Sequence, residues 1–333
     1  GAAGMMAALS AREQGAEVTI LERQARVGKK LLATGNGRCN LSNTKLTLKN
    51  YHGQDARFAD YALSSFPVEK TLEYFENLGL ITVVEPSGKV YPLSDQAGSV
   101  VDVLRLALEE AGVEVRTAFE VTGLKKGKKG GFQISSKEET LQADSVIICC
   151  GGMAGAKVGG TQSGYELLKS MGHTMTKLFP VLVQIKTDAT YVKALKGVRA
   201  DGSVIVERNG KVLAENEGEI QFTDFGVSGP AIFEISRAIS TGKGPMTIHL
   251  NLMRNLKHEE VVSILHNRKK MMPNQTLENF LTGILHNRLG RTILRYAGFG
   301  FTDPIHTLKS SDIKRIAHAI QDFEIPVIGA MGF

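Results

Sequence analysis

Residues 1–22, GAAGMMAALSAREQGAEVTILE, leave few folds open. Small residues open a segment of helical periodicity, Met5 to Gln14, which Gly15 stops. A β-like run, Glu17 to Leu21, follows and ends in Glu22. That order, helix then strand then acid, is the second half of a dinucleotide-binding βαβ unit. In its fingerprint G-x-G-x-x-G the second glycine admits the pyrophosphate and the third lets helix and strand pack closely. Gly1 and Gly4 have the spacing of those two, and Glu22 stands about 20 residues on, where a carboxylate accepts the ribose 2′-hydroxyl. A carboxylate there repels a 2′-phosphate, so the expected ligand is FAD or NAD rather than NADP. The first glycine and its strand precede anything in this sequence, and FEIPVIGAMGF (323–333) reads as a strand running into a Gly-rich loop. The expectation is the inner part of a longer protein, with an N-terminal strand and a C-terminal segment outside it.

The fold class expected is α/β. A Gly-rich, basic loop (23–43) follows the acid, and backbone N–H groups with nearby lysines suit phosphate. Helical periodicity covers 56–79. A hairpin with PSGK as its turn covers 81–93, and a helix carries the stripe Val100, Val103, Leu104, Ala107 and Leu108. Short strands follow at 113–117, 119–124, 131–136 and 139–143, and those within 119–143 read as an antiparallel meander before DSVIICCGG (144–152). The run VIICC is apolar throughout, as a parallel strand covered on both faces would be. It ends in Gly151 and Gly152, with Gly155, Gly159, Gly160 and Gly164 beyond, a backbone able to approach a ligand at the carboxyl edge of a sheet. Residues 161–173 read as loop and helix. From about 178 the segments turn β-like. A helix is expected within 226–240, with Ser228 as its cap and Pro230 near its start. Residues 258–297 and 310–322 are helical and dotted with Lys and Arg. The expected domains are 1–178 with 323–333 as a Rossmann-like unit, 179–255 as a β-rich insert and 256–322 as a small helical unit.

The balance of 40 basic against 34 acidic residues, +6, fits an anionic ligand better than nucleic acid, whose binders gather charge in one stripe. The densest run, LKKGKKGG (124–131), reads as a solvated hairpin turn. Three cysteines, Cys39, Cys149 and Cys150, make neither a disulfide framework nor a zinc site, so a reducing, cytoplasmic setting is expected. Cys149 and Cys150 read as core strand residues. No apolar run nears the roughly 18 residues that span a bilayer. His52, His173, His249 and His306 lack metal-ligand spacing, His258, His266, His286 and His318 read as solvated, and no metal is expected. Tyr165 and His173 are the candidates for a general acid or base, but the sequence assigns no catalytic residue.

GAAGMMAA, LERQARVGKKLLATGNGRCNLSN, GTQSGYELLKSMGH and IQFTDFGVSGPAIFEIS together resemble the HI0933-like flavoproteins, also called YhiN- or BaiN-like, over nearly the whole chain. The resemblance implies FAD on a Rossmann-like domain built from both chain ends, an inserted β-barrel-like domain and a small helical domain. It implies a flavin-dependent oxidoreductase, since members are described as reductases or oxidases, bile-acid reduction and aminoacetone oxidation included. Carried over, Gly1, Ala2 and Gly4 would face the pyrophosphate, with Glu22 and its neighbour Arg23 at the adenosine ribose. Lys30, Arg38, Cys39 and Asn40 would line phosphates and flavin. Val121 would meet adenine through its backbone, and Gly151 and Gly152 would lie by the cofactor. The family's C-terminal Gly-rich, flavin-contacting segment has no counterpart here.

Three functions remain open at this level. The first is FAD-dependent transfer of a hydride or electron pair to or from a small organic substrate, with NAD(P)H as a possible electron donor. No membrane partner and no nucleic acid is expected, and the oligomeric state is open. The second is an NAD-dependent dehydrogenase without flavin, which Glu22 permits. The third is a non-enzymatic nucleotide- or nucleic-acid-binding protein using Arg254, Lys257, Arg268, Lys269, Lys270, Arg288, Arg291 and Arg295.

Overall fold

The computed structural model describes residues 1–128 and 130–333; Lys129, in the expected 124–131 turn, lies outside them. The chain forms two compact units, Gly1–Thr176 and Lys177–Phe333.

In the first unit, helix α1 (Ala2–Glu13) buries Met5, Ala8 and Leu9, one face at i, i+3 and i+4 spacing. Strand β1 (Thr19–Leu21) follows, and the short β2 (Ser42–Asn43) lies beyond the Gly-rich loop. The helix expected at 56–79 is broken in two, α2 (Asp60–Ser65) and α3 (Val68–Asn77). Pro67 is the break: its ring disfavours the helical conformation of the residue before it and suits a helix start. Ahead of the break the expected apolar stripe faces outward, with Phe58 and Tyr61 exposed. The hairpin forms as expected from β3 (Thr82–Val84) and β4 (Lys89–Pro92), and β4 also pairs with β2.

Helix α4 (Ala97–Glu110) buries Val100, Val101, Leu104 and Leu108 against α1, Phe75 and Leu80, and this is the core of the unit. Strand β5 (Glu114–Arg116) then runs parallel to β1, Leu21 opposite Arg116. The meander is β6 (Gly123–Lys126), β7 (Phe132–Ser135) and β8 (Thr140–Ala143), antiparallel throughout. Helix α5 (Ser163–Ser170) closes the unit, Leu167 packing on Leu124 and Ile134.

The segment 145–150 corrects an expectation. It belongs to no described ladder, Ile147 is 65 % exposed, Cys149 is half-buried and Cys150 exposed. Its alternation is still that of a strand between two helix layers. The Cys149 β-carbon lies under Gly4 of α1, and the Cys150 β-carbon lies against Gly164 of α5. A strand is defined by its partners, and apolar content alone supplies none.

The second unit is a closed six-stranded barrel with helices on it. Strand β9 (Ile185–Thr187) leads into the short helix α6 (Ala189–Val192). The long hairpin β10 (Arg199–Arg208) and β11 (Lys211–Phe222) follows, then β12 (Gly226–Ser228). Helix α7 (Pro230–Thr241) starts with Pro230 at its first turn, as expected, but its cap position is Gly229, while Ser228 is buried in β12. After β13 (Thr247–Asn251) come α8 (His258–Met271), α9 (Asn287–Tyr296), α10 (Ser310–Gln321) and β14 (Phe323–Ala330). The order around the barrel is β10-β11-β12-β9-β14-β13. Alternate residues point inward, among them Val204, Val206, Ile220, Phe222, Ile248, Leu250, Phe323 and Ile325, all buried.

Two boundaries expected from the sequence differ here. The strand at 323–330 pairs with β13 and β9 inside the barrel, not with the first unit. The helices of 256–322 share one continuous core with the barrel, through Val261, Leu265, Ile293, Ile316 and Ile320, and are no separate domain. Their apolar faces need a wall to cover them, and the barrel is that wall.

Candidate cofactor site

The N-terminus of α1 has no side-chain cap, so its first N–H groups have no partner within the helix. The helix dipole adds partial positive charge at the same place, and together they suit an anion. An added β-carbon on Gly1 would meet nothing within 4 Å, whereas on Gly4 it would lie 3.3 Å from the Cys149 β-carbon. One position is therefore open and the other is a close helix–chain approach, the division of labour that the fingerprint requires. Ala2 is exposed in the first turn.

Strand β1 carries Glu22 to the same end. Its backbone N–H still bonds Arg116 O in continuation of the parallel ladder. Its carboxylate turns back: Oε1 accepts from the Gln24 N–H at 2.8 Å, and Oε2 lies 3.6 Å from the Gly1 nitrogen. Glu22 is only 18 % exposed, so it is fixed in place. Next to it Arg23 bonds Gly159 O at 3.4 Å and lies 3.8 Å from Glu120.

The Gly-rich segment after 150 is tied to this group. Lys30 Nζ donates to Gly152 O at 3.1 Å. Gly151 sits at φ 69°, a left-handed conformation that side chains resist. Over Gly152 stands the Tyr165 hydroxyl, 2.6 Å from where a β-carbon would be. Val121 lines a cavity of about 400 Å³ with Glu120, Thr122, Ser163, Glu166 and Ser170. The structure thus gathers Gly1, Glu22, Arg23, Lys30, Gly151 and Gly152 at one end of the unit.

Arg38 and Cys39 of the expected set have other duties. Arg38 pairs with Glu85 at 3.0 Å and with Asp95, and stacks 3.9 Å over the Tyr91 ring. Those carboxylates hold its pKa above the ordinary guanidinium value. It fastens the loop to the β3–β4 hairpin. Cys39, at φ 59°, is buried in the core with α1 and α4, and that burial pushes its thiol pKa up. Asn40 has an exposed side chain, and its nitrogen lies 2.6 Å from where a β-carbon on Gly35 would be. His173 is exposed just past α5. Sequence reasoning passed over Gln24 and Glu120, and named Gly159 only as one of the glycine run. The signal for the first two was nearness in sequence to Glu22 and Val121.

The basic residues of the second unit are largely engaged. Arg254 bonds Asp201 and Glu217. Arg268 bonds Phe280 O and Thr282 O, Lys269 bonds Leu308 O and Arg288 bonds Ala194 O. Arg291 pairs with Glu278. His286 is not merely solvated, because its ring accepts the Arg288 N–H at the start of α9. Among the described residues no helix is long and apolar enough to cross a membrane.

An uncapped helix N-terminus beside a fixed carboxylate at the end of a parallel strand is an arrangement that suits a dinucleotide. With the matches that follow, it defines a Rossmann-type, flavin-dependent oxidoreductase. A family described as "HI0933-like protein Rossmann domain" matches residues 1–299, and the chain belongs to that family. It is 37% identical to the 3-dehydro-bile acid delta(4,6)-reductase of Clostridium scindens, over 100% of this chain and 82% of that protein. It is 29% identical to the ribosomal RNA dihydrouridine synthase of Escherichia coli, over 87% of this chain and 70% of that protein. Among solved structures, the open conformation of a flavocytochrome c3 fumarate reductase aligns at 16% identity and a TM-score of 0.43. That alignment covers 99% of this chain and 65% of the other, a likeness too distant to bear on function.

Proposed function

We propose that the chain holds FAD with its pyrophosphate at the α1 N-terminus and its adenosine ribose at Glu22, and that it reduces a carbon–carbon double bond conjugated to a carbonyl in a small organic molecule. The observation that carries the cofactor half is the 3.6 Å approach of the Glu22 carboxylate to the Gly1 nitrogen. A dinucleotide needs an anion cradle and a ribose acceptor side by side, and this approach supports that reading. The chain's residues fit the group. Gly1 leaves open space, and among the described residues the first N–H groups of α1 are unspent and Glu22 Oε2 accepts no hydrogen bond while Oε1 is held by Gln24. Lys30 and Arg23, bonded to Gly152 O and Gly159 O, keep the glycine segment close and place two cations beside the phosphates. Val121 would offer its backbone to adenine. Bound FAD supplies two-electron, hydride-equivalent chemistry, which no side chain of this protein provides. The protein's part is to bind it, orient it and exclude water.

The substrate half rests on the relatives. The two names, delta(4,6)-reductase and dihydrouridine synthase, both describe adding two hydrogens across a carbon–carbon double bond. A small molecule is preferred to RNA because Arg254, Arg268, Arg288 and Arg291 of the second unit are spent on carbonyls and carboxylates. A nicotinamide nucleotide is the proposed electron donor, and a reducing cytoplasm, where the three free thiols are stable, is the proposed compartment.

The test is a spectroscopic one. The protein is loaded with FAD, reduced anaerobically with NADH or NADPH, and mixed with a 3-oxo-Δ4 steroid, a simple cyclic enone or a uridine oligonucleotide. Flavin absorbance near 450 nm returning with the steroid or enone, and not with the oligonucleotide, is the expected result. Failure to retain FAD would refute the cofactor half. Retention without reoxidation by any conjugated enone would refute the substrate half.

A further inference from the structure

On the outer surface of the barrel, one imidazole meets three carboxylates. His249 is the outward residue of β13 between inward Ile248 and Leu250. The ladder places Glu324 of β14 directly opposite it. Asp322, which ends α10, reaches the same point, its Oδ1 2.8 Å from His249 Nδ1. Glu324 Oε1 lies 4.0 Å from that nitrogen, and Glu207 of β10 lies 3.8 Å from Nε2 on the other side. His249 is held in place, with 20 % of its side chain exposed.

Two further observations separate this group from an ordinary acidic surface. Among the described residues no Lys or Arg lies within ion-pair distance of Glu207, Asp322 or Glu324; their partners are His249 and, for Asp322, His318. Elsewhere in this unit the strand carboxylates Asp201, Glu217 and Glu219 are matched by arginine. Next to Glu324 a cavity of about 290 Å³ is also lined by Asp188, Thr190, Tyr191, Thr247 and Tyr296.

We propose that His249, Asp322 and Glu324 bind a divalent metal ion of the zinc class. One ligand atom from each already lies within 4.8 Å of the others. A tetrahedral ion bonded at about 2.1 Å holds its ligands about 3.4 Å apart. The two distances from Nδ1, 2.8 and 4.0 Å, bracket that spacing, so a small rotamer adjustment suffices. One imidazole among carboxylates selects a zinc-type ion over magnesium, which favours an all-oxygen shell. Binding at Nδ1 requires the ring hydrogen on Nε2, the nitrogen that faces Glu207. Glu207 faces the free edge of the ring and orients it, as carboxylates behind metal-bound histidines do. The ion would join β13, β14 and the end of α10, the junction that closes the barrel.

The test uses the purified 333-residue chain, stripped with EDTA. Zinc is titrated in competition with a chromophoric chelator, and thermal unfolding is followed with and without zinc. One equivalent of zinc should bind and raise the midpoint. His249→Ala and Asp322→Asn should weaken binding at least tenfold and abolish the rise. His52→Ala, at an exposed histidine of the other unit, should match the unmodified chain. Glu324→Gln, at a half-exposed position whose carboxylate has His249 as its one ion-pair partner among the described residues, serves if the first two fail to fold, and should also weaken binding. Absence of a stoichiometric site would overturn the proposal. So would zinc binding that is unchanged in Asp322→Asn and Glu324→Gln.

Discussion

A methyl group placed on Gly152 tests the cofactor end of the first unit without any ligand. Its carbon would lie 2.6 Å from the Tyr165 hydroxyl oxygen, well inside van der Waals contact. The aromatic ring is stiff, so relief requires moving α5 or the glycine segment that Lys30 holds. Overpacking of this kind costs about 1–3 kcal/mol. In a Tyr165→Phe background the offending atom is gone, and the next nearest, the ring Cζ, lies at 3.7 Å, an ordinary contact. Tyr165→Phe alone should cost less than about 1 kcal/mol, since the hydroxyl makes no hydrogen bond to protein among the described residues. The double-mutant cycle should therefore show a favourable coupling of about 1–3 kcal/mol, in the range for residues in contact. Urea unfolding of the four proteins gives the cycle, and FAD titration gives its echo at the site. Equal cost of Gly152→Ala in both backgrounds would show that Tyr165 does not cover Gly152, and the geometry of the strand end would be wrong.

Glu22→Gln removes the charge that accepts ribose hydroxyls. A hydrogen bond to a charged group contributes about 1.5–3 kcal/mol, so FAD affinity by fluorescence titration should fall ten- to a hundredfold with the fold intact. Phe323→Ala empties a fully buried site that packs edge-on against Tyr296 at 4.9 Å and Tyr191 at 6.1 Å. It should cost the second unit about 3–5 kcal/mol in denaturant unfolding. FAD binding should be unchanged, which it would not be if this strand belonged to the first unit. Burial raises the Cys39 thiol pKa in the folded state. The stability it contributes is therefore full below the ordinary thiol pKa and lost as pH rises through the folded value. Urea midpoints of the parent and Cys39→Ala should converge in alkaline solution. A constant gap between pH 7 and pH 10 would contradict the burial.

The parts of the fold that short-range patterns determine were readable. The apolar face of α1, the PSGK hairpin, the meander and the acid at 22 each announce themselves within a dozen residues. What escaped depends on partners far away in sequence. FEIPVIGA has the alternation of a strand, but nothing in it says whether it adds to the first unit or closes a barrel with residues 185–187. VIICC has the composition of a buried strand, and composition does not supply a ladder. Arg38 looked like a phosphate ligand because it is a cation in a Gly-rich loop, and Glu85 and Asp95, about 50 residues away, claim it. His249 gave no metal-ligand signal because its neighbours are residues 322 and 324, brought over by antiparallel pairing.

The placement of β14 also sets an order of events during synthesis. Val327 pairs with Thr187 across about 140 residues of intervening chain. At about 5–20 residues per second, β9 leaves the ribosome on the order of ten seconds before its partner strand exists. The first unit makes all its described ladders within residues 1–176 and can settle in that interval. The barrel cannot. Until residue 330 is made, β9 and β13 each present a bare edge, and such edges invite pairing with another nascent chain. Chaperone demand should therefore fall on the second half of this protein, and truncations just before Phe323 should aggregate where truncations near Thr176 stay in solution.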